Sequence, residues 1–306
     1  MPTPPHTARE VLPAPLQHPA VDALLRLALA EDLSPTADWP AIADDPAAGD
    51  ITSAATLPAD LTLEGVIHAK EDGVVAGGPL VEAIAALVAP ALRVTLHIAD
   101  GTYVTAGERI ATLAGPGRAL LVAERPALNL LGRCSGIATQ TRALADLIAG
   151  TGATLLDTRK TAPGLRRIDK YAVQQGGGRN HRLGLFDEVL IKENHIAAAG
   201  GIEAAIDQVR DAYSDRYPLV VEVQTLEELT SALQRRPTRI LLDNMTLGEM
   251  KSAVTQARGT TPLEASGNVT RATIRAIAET GVDFISVGAL THSAATLDVS
   301  LRLTAG

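Results

Sequence analysis

From residue 153 onward, short apolar runs recur at Ala153–Leu156, Glu188–Ile191, Leu219–Val223, Arg239–Leu242, Pro262–Ala265 and Phe284–Val287. Segments able to form helices separate them, for example Leu226–Leu233 and Thr270–Thr280. Runs this short and this apolar are strands covered on both faces. Strands that alternate with helices lie parallel, because a helical crossover returns the chain to the same end of the sheet. Six repeats within about 145 residues fit a (β/α) barrel short of eight strands. A doubly wound open sheet fits the same rhythm. No G-x-G-x-x-G opens the first unit, which counts against its dinucleotide-binding version.

Nearly every unusual polar residue follows one of these runs. The first leads into Asp157-Thr158-Arg159-Lys160-Thr161 and the second into Lys192-Glu193-Asn194-His195. The third contains Glu222 and the fourth ends in Asp243-Asn244. The fifth gives Glu264-Ala265-Ser266-Gly267-Asn268, and the sixth gives Val287-Gly288-Ala289. In parallel α/β folds the loops at the carboxyl ends of the strands build the active site. The residue types are complementary. Arg159, Lys160, Arg182 and Lys192 are cations suited to carboxylates or phosphates. Glu222 and Asp243 are hard oxygen ligands of the kind that hold Mg2+ beside a phosphate. Ser266-Gly267-Asn268 and Gly288 offer backbone N–H groups near helix starts, which suits a terminal phosphate. The implied ligand is a phosphate-bearing anion accompanied by a divalent metal. Each residue also has a plainer reading: Glu222, Asp243 and His195 as helix caps, His181 as a satisfied structural histidine, and Arg166, Arg167 and Lys170 as a solvated helix face.

Charge supports the anion. The stretch from Asp157 to His195 holds eight Lys or Arg against five acids, +3 in a chain of 306 residues whose net charge is −8. A basic island in an acidic protein suits a small anionic ligand, and the overall acidity argues against a nucleic-acid coat. Apolar stretches such as Ala83–Ala91 are too short to span a bilayer, and MPTPPHTARE does not read as a signal peptide. The single cysteine, Cys134, excludes an internal disulfide framework and a Cys-rich zinc site. These features point to a cytoplasmic protein with neither nucleic-acid nor membrane partners. Walker A, G-x-S-x-G and H-E-x-x-H sequences are all missing.

The first half reads differently. Residues 1–19 hold six of the 18 prolines and read as a loose tail. A helix is predicted over Pro19–Leu33, then a Pro/Ala/Asp loop. LTLEGVIHA and LRVTLHIA alternate like half-buried strands, with a helix over Pro79–Ala89 between them. DGTYVTAGERI has the glycine spacing of a biotinyl or lipoyl carrier hairpin. No lysine occurs between Glu71 and Arg159 to accept the cofactor, so a structural turn is the better reading. A long helix is predicted from about Arg125 to Ala149, with Pro126 in its first turn. The expected organisation is an α/β chain: a tail over 1–19, an N-terminal α+β sandwich domain over 20–125, and an incomplete barrel of about six parallel strands over 126–306, its last residues packing back on the first domain.

The segment DTRKTAPGLRRIDKYAVQQGGGRNHRLGLFDEVLIKENHI closely resembles the core of the decarboxylating quinolinate phosphoribosyltransferases, or nicotinate-nucleotide pyrophosphorylases. So do ERPALNLLGRCSGIATQT, ILLDNM, LEASGNVT and GVDFISVGALTHSA, in order, across about Gly49 to Leu301. The resemblance implies an N-terminal sandwich and a C-terminal barrel. It also implies conversion of quinolinate and phosphoribosyl pyrophosphate to nicotinate mononucleotide, pyrophosphate and CO2, in de novo NAD biosynthesis. It places Thr158, Arg159, Lys160, His181, Arg182 and Lys192 around quinolinate, and sends Arg125 into the site of the neighbouring subunit, which implies a homodimer with shared sites. Glu222 and Asp243 would serve the ribose hydroxyls and Mg2+; with Lys160 they are the expected catalytic residues. Ser266, Gly267, Asn268, Val287, Gly288 and Ala289 would hold the 5′-phosphate.

Three departures stand out. About 15 residues, Ser34–Ala48, separate EDL from GDIT, which the family usually joins. Gln224 stands where the family commonly has another acid, and Cys134 where it often has an apolar residue. Rival readings of the same fold are a molybdenum-associated pyrophosphorylase-like paralogue and a nicotinate phosphoribosyltransferase, neither of which needs the full dicarboxylate set.

Overall fold

The computed structural model describes residues 11–304. In chain order its elements are α1 (Pro19–Leu33), α2 (Ile51–Thr56), β1 (Thr62–Ala69), β2 (Gly73–Val74), α3 (Gly78–Val88), β3 (Arg93–Leu96), β4 (Tyr103–Val104), β5 (Arg109–Pro116) and α4 (Gly117–Leu147). Then come β6 (Thr154–Leu156), α5 (Arg166–Gln175), β7 (Val189–Ile191), α6 (Glu193–Ala199), α7 (Ile202–Tyr213), β8 (Leu219–Val223), α8 (Leu226–Gln234) and β9 (Arg239–Asp243). The chain ends with α9 (Leu247–Ala257), β10 (Leu263–Ser266), α10 (Ile274–Ala278), β11 (Phe284–Ser286), α11 (Ala289–His292) and β12 (Val299–Leu303). Of the described residues, 11–140, 162–177 and 293–304 form one compact unit, and 141–161 with 178–292 form a second. These borders differ from the sequence-based division at 125: the boundary falls inside α4, and α5 and β12 belong to the first unit.

The first unit is built on an antiparallel sheet in the order β12-β1-β5-β3. Helix α1 spans the residues predicted for it. Pro19 begins it, the His18 ring accepts from the Ala20 N–H, and Val21, Leu25 and Leu29 form its buried stripe at a spacing of four. The tail reading is corrected for residues 11–18. Leu12 and Leu16 are buried there, so that stretch belongs to the core, while the rest of the predicted tail lies outside the described residues. The Ser34–Ala48 segment forms loops and short 3-10 turns, with the Arg26 guanidinium 5.4 Å from the Trp39 ring centroid. The carrier-like hairpin is a pair of turns with Gly101 and Gly107 at φ of 86° and 93°.

Two further expectations are corrected in this unit. Helix α4 begins at Gly117, so Pro126 lies in its interior. An interior proline costs about 3 kcal/mol. Burying Leu120, Val122, Ala119 and Ala123 on the preceding turns outweighs that, at roughly 1.5–3 kcal/mol for each large side chain. Lys170 is not on a solvated face; it is 2% exposed. Its neighbour Asp169 is fully buried and takes two 2.8 Å bonds from Arg133, which fixes α5 within the unit. Cys134 is buried too. Burial drives its thiol far above the ordinary range, so it packs and does not act as a nucleophile.

The second unit carries the six predicted strands as one parallel sheet in the order β6-β11-β10-β9-β8-β7. Strands β7 to β11 each neighbour the next in sequence, and β11 returns beside β6. The winding never reverses, which decides for the incomplete barrel over the doubly wound sheet. Val220, Val221, Val223, Ile240, Leu242, Ala265 and Ile285 are fully buried, as the continuous apolar runs require. In register, Asp243 pairs with Ser266, so the carboxyl ends of β9 and β10 stand level.

Candidate active site

The strand ends of the second unit enclose a cavity of about 710 Å³. Its wall brings together every site residue predicted from 158 onward: Thr158, Arg159 and Lys160 after β6; His181, Arg182 and Lys192 around β7; Glu222 on β8 and Asp243 on β9; Ser266, Gly267 and Asn268 after β10; and Val287, Gly288 and Ala289 after β11. Arg125 does not line it; that residue is exposed on α4, in the first unit.

Local bonds set the cation loops. Asp157 is fully buried and accepts the His181 backbone N–H at 2.7 Å, which ties the loop after β6 to the segment before β7. The Thr158 hydroxyl accepts the Lys160 N–H at 3.0 Å, and Thr291 donates to the Lys160 carbonyl at 2.8 Å. Gly288 lies so close that a Cβ there would meet Lys160 Cδ at 2.8 Å. Burial, and next the Arg159 guanidinium, pull Arg182 below the usual arginine range; two cations held this near each other make a site for an anion. Lys192 Nζ donates to Glu222 Oε2 at 3.1 Å, so the expected dicarboxylate side and ribose side meet directly.

A largely buried charge cluster borders the cavity and shares His181 and Glu264 with its wall. Arg239, at the start of β9, bonds Glu188 at 3.0 Å and sits 2.8 Å from Glu264. The His181 ring is 9% exposed as a residue and lies 3.2 Å from Glu188 and 3.6 Å from Glu264, while its Nδ1 accepts the Arg182 N–H at 2.7 Å. Burial raises the Glu264 carboxyl to about 6, outweighing the opposing pull of Arg239. His195 is the cap that the plainer reading gave, accepting the Lys192 N–H at 3.0 Å. Gln224 is not part of the cavity wall; its amide lies 3.4 Å from Glu193, so the missing family acid does not alter the charge of the wall.

Sequence reasoning did not single out Asn244, Glu264, Thr270 or His292 as site residues, yet all four line the cavity. Their position after a strand was the available signal for Asn244 and Thr270. Glu264 is marked only as a polar residue inside the fifth apolar run, and nothing local marks His292.

A singly wound parallel barrel whose carboxyl-end mouth gathers cations, carboxylates and glycine turns belongs to the class of α/β proteins that handle phosphorylated anions. Residues 50–135 match the model of the N-terminal domain of quinolinate phosphoribosyl transferase, and residues 137–302 that of its C-terminal domain. A chloroplastic nicotinate-nucleotide pyrophosphorylase [carboxylating] from Arabidopsis thaliana is 45% identical, over 94% of this chain and 85% of its own. The corresponding protein of Mycobacterium leprae is 43% identical over 83% of this chain and 91% of its own. The solved structure of the nicotinate-nucleotide pyrophosphorylase from Francisella tularensis superposes with a TM-score of 0.83 and 39% identity, covering 93% of this chain and 96% of that one. The chain belongs to the quinolinate phosphoribosyltransferase family.

Proposed function

We propose that this chain transfers the phosphoribosyl group of phosphoribosyl pyrophosphate to quinolinate, with loss of CO2, giving nicotinate mononucleotide and pyrophosphate. The observation that carries this reading is the single cavity in which Arg159, Lys160, Arg182 and Lys192 face Glu222, Asp243 and the glycine turns after β10 and β11. Quinolinate is a dianion, and its partner substrate carries several more charges. A fixed array of cations lets them share one site without solvent reorganisation. Arg159, Lys160, Arg182 and Lys192, with Thr158 and His181 in the same wall, hold the two carboxylates. Glu222 and Asp243 take the ribose hydroxyls. The backbone N–H groups of the Ser266–Asn268 and Val287–Ala289 turns take the 5′-phosphate.

The pyridine nitrogen displaces pyrophosphate at C1 of the ribose through an oxocarbenium-like transition state. The pyridinium so formed draws electrons from the adjacent C2, so the bond to the 2-carboxylate breaks and a proton replaces CO2. No side-chain nucleophile is needed, and positioning of charge does most of the catalysis. Among the described residues no group of three or more His, Cys, Asp or Glu forms a metal cage. Two carboxylates on neighbouring strands nonetheless fit Mg2+, which keeps waters and substrate phosphates and takes only one or two protein ligands. Glu222 and Asp243 would hold it, and when bound it supplies charge neutralisation of the leaving pyrophosphate.

The active unit in this reading is a homodimer, with Arg125 of each subunit completing its neighbour's site; the exposure of Arg125 on α4 supports that role. A cytoplasmic setting suits a chain whose one cysteine is a buried free thiol. No helix among the described residues is long and apolar enough to cross a membrane. Formation of nicotinate mononucleotide from quinolinate, phosphoribosyl pyrophosphate and Mg2+, with nicotinate as competitor, tests the reading. Quinolinate is expected to be used and nicotinate refused, because one carboxylate leaves a desolvated cation unpaired, a cost of about 1–3 kcal/mol or more. Equal turnover of both acids would reject it, and turnover of nicotinate alone would favour the nicotinate phosphoribosyltransferase rival.

A further inference from the structure

Two asparagines stand at the carboxyl ends of neighbouring strands, Asn244 one residue after β9 and Asn268 two residues after β10, and both have left-handed backbones, φ 55° and 52°. Asparagine alone at such a φ is ordinary turn chemistry. The side-chain bonds here go beyond what a turn needs. Asn244 Nδ2 donates to Asp243 Oδ2 at 3.0 Å, and Asn268 Nδ2 donates to Asn244 Oδ1 at 3.0 Å. The Asn244 N–H also donates to the Ser266 carbonyl at 2.9 Å. Gly267, at φ 95°, is open to no other residue: a Cβ there would overlap the Asn244 side chain.

We infer that Asn244 is a positioning residue, a strut that fixes the Asp243 carboxylate relative to the Ser266–Asn268 turn and so sets the spacing between the ribose and 5′-phosphate ends of the sugar-phosphate subsite. The inference rests on the reading of this cavity as a phosphoribosyl site. Its amide is engaged at both ends. The NH2 engages one Asp243 oxygen and leaves the other free for a hydroxyl or a cation, and the carbonyl orients the Asn268 amide. The left-handed φ is what brings one amide within reach of both neighbours, and Gly267 gives it room. A ribose phosphate bridges the two anchored points, so loosening the strut weakens that ligand and spares the dicarboxylate side.

The test is Asn244→Gly, because glycine accepts φ 55° and the change removes the side chain alone. Ribose 5-phosphate binding is measured by calorimetry, beside KM for each substrate and thermal stability. Expected are a loss of at least tenfold in ribose 5-phosphate affinity, a matching rise in KM for phosphoribosyl pyrophosphate, quinolinate affinity within twofold and an unchanged melting temperature. In an Asn268→Gly background the same change is expected to cost less than threefold, since one arm of the strut is already gone. Asn244→Ala, with a side chain forced into the left-handed region, is expected to reproduce the binding loss and lower stability as well. Ribose 5-phosphate affinity within twofold of wild type in Asn244→Gly, or equal losses in both backgrounds, overturns the strut. A wild-type protein that binds ribose 5-phosphate but forms no nicotinate mononucleotide overturns the proposed reaction instead, and the binding arm still decides the strut.

Discussion

Replacing Gly288 by alanine tests how the turn after β11 controls the principal lysine of the site. The added Cβ would stand 2.8 Å from Lys160 Cδ and 3.3 Å from the His292 ring. Carbon atoms rest about 3.5–4.0 Å apart, so the lysine stem must retreat by about 1 Å. The stem is flexible and Gly288 has no left-handed φ, so the fold absorbs the change and its melting temperature should move little. Catalysis should not absorb it. A displacement of about 1 Å of a positioned group commonly costs about 10²-fold, and full loss of one positioned charge about 10²–10³-fold. We expect kcat/KM for Gly288→Ala to fall roughly 10²-fold, measured by steady-state formation of nicotinate mononucleotide, with thermal unfolding as the control. In a Lys160→Ala background the same change should cost almost nothing, because the atom it displaces is gone. Equal losses in the two backgrounds, or wild-type activity in the single variant, would refute the reasoning.

Asp243→Asn should weaken Mg2+-dependent use of phosphoribosyl pyrophosphate and leave quinolinate binding intact. Glu222→Gln should disturb both, since it also releases Lys192 from its 3.1 Å bond; quinolinate calorimetry on the two variants separates these outcomes. An Arg125→Ala chain mixed with a Lys160→Ala chain should recover about a quarter of wild-type activity, because half of randomly paired dimers are mixed and each holds one intact site; exchange of subunits without recovery would place Arg125 in its own chain's site. Glu264 titrates at about 6 in the fold against 4.5 as the ordinary value, so the folded state holds its proton longer than the unfolded one. Its contribution to stability is therefore full below pH 4.5 and falls as pH rises to about 6, by on the order of 2 kcal/mol. The stability difference between wild type and Glu264→Gln should shrink across that window in urea titrations; a difference that grows with pH would mean that Arg239 holds the carboxylate ionised.

The barrel was legible because each buried parallel strand is a short continuous apolar run, and that signal is local. Leu219–Val223 was delimited to the residue, and the others to within one or two. Much of the cavity's membership from Thr158 to Ala289 was legible as well, since residues just after parallel strands collect at one end of the barrel; Asp157 and Gln224, which directly follow β6 and β8 yet stay out of the wall, show that the rule is not strict. Winding was not. Six strands in sequence do not state whether the last returns beside the first, and only the β11–β6 pairing settles that. The start of α4 was misjudged because proline is a local stop signal, whereas the burial of Leu120 and Ala123 that overrides it is a tertiary quantity. Lys170 looked solvent-facing for the same reason. The cluster of Arg239, Glu188, Glu264 and His181 joins residues up to 83 positions apart, and no spacing rule brings them together. Asn244 was visible as a strand-end residue, but its bonds to Asp243 and Asn268 depend on a backbone twist and on the register of two strands. Sequence by itself determined which residue types arrive at the mouth of the barrel, because period and chemistry are written along the chain. Tertiary structure decided their distances, their partners and their protonation, because those depend on burial and on neighbours that the chain supplies from elsewhere.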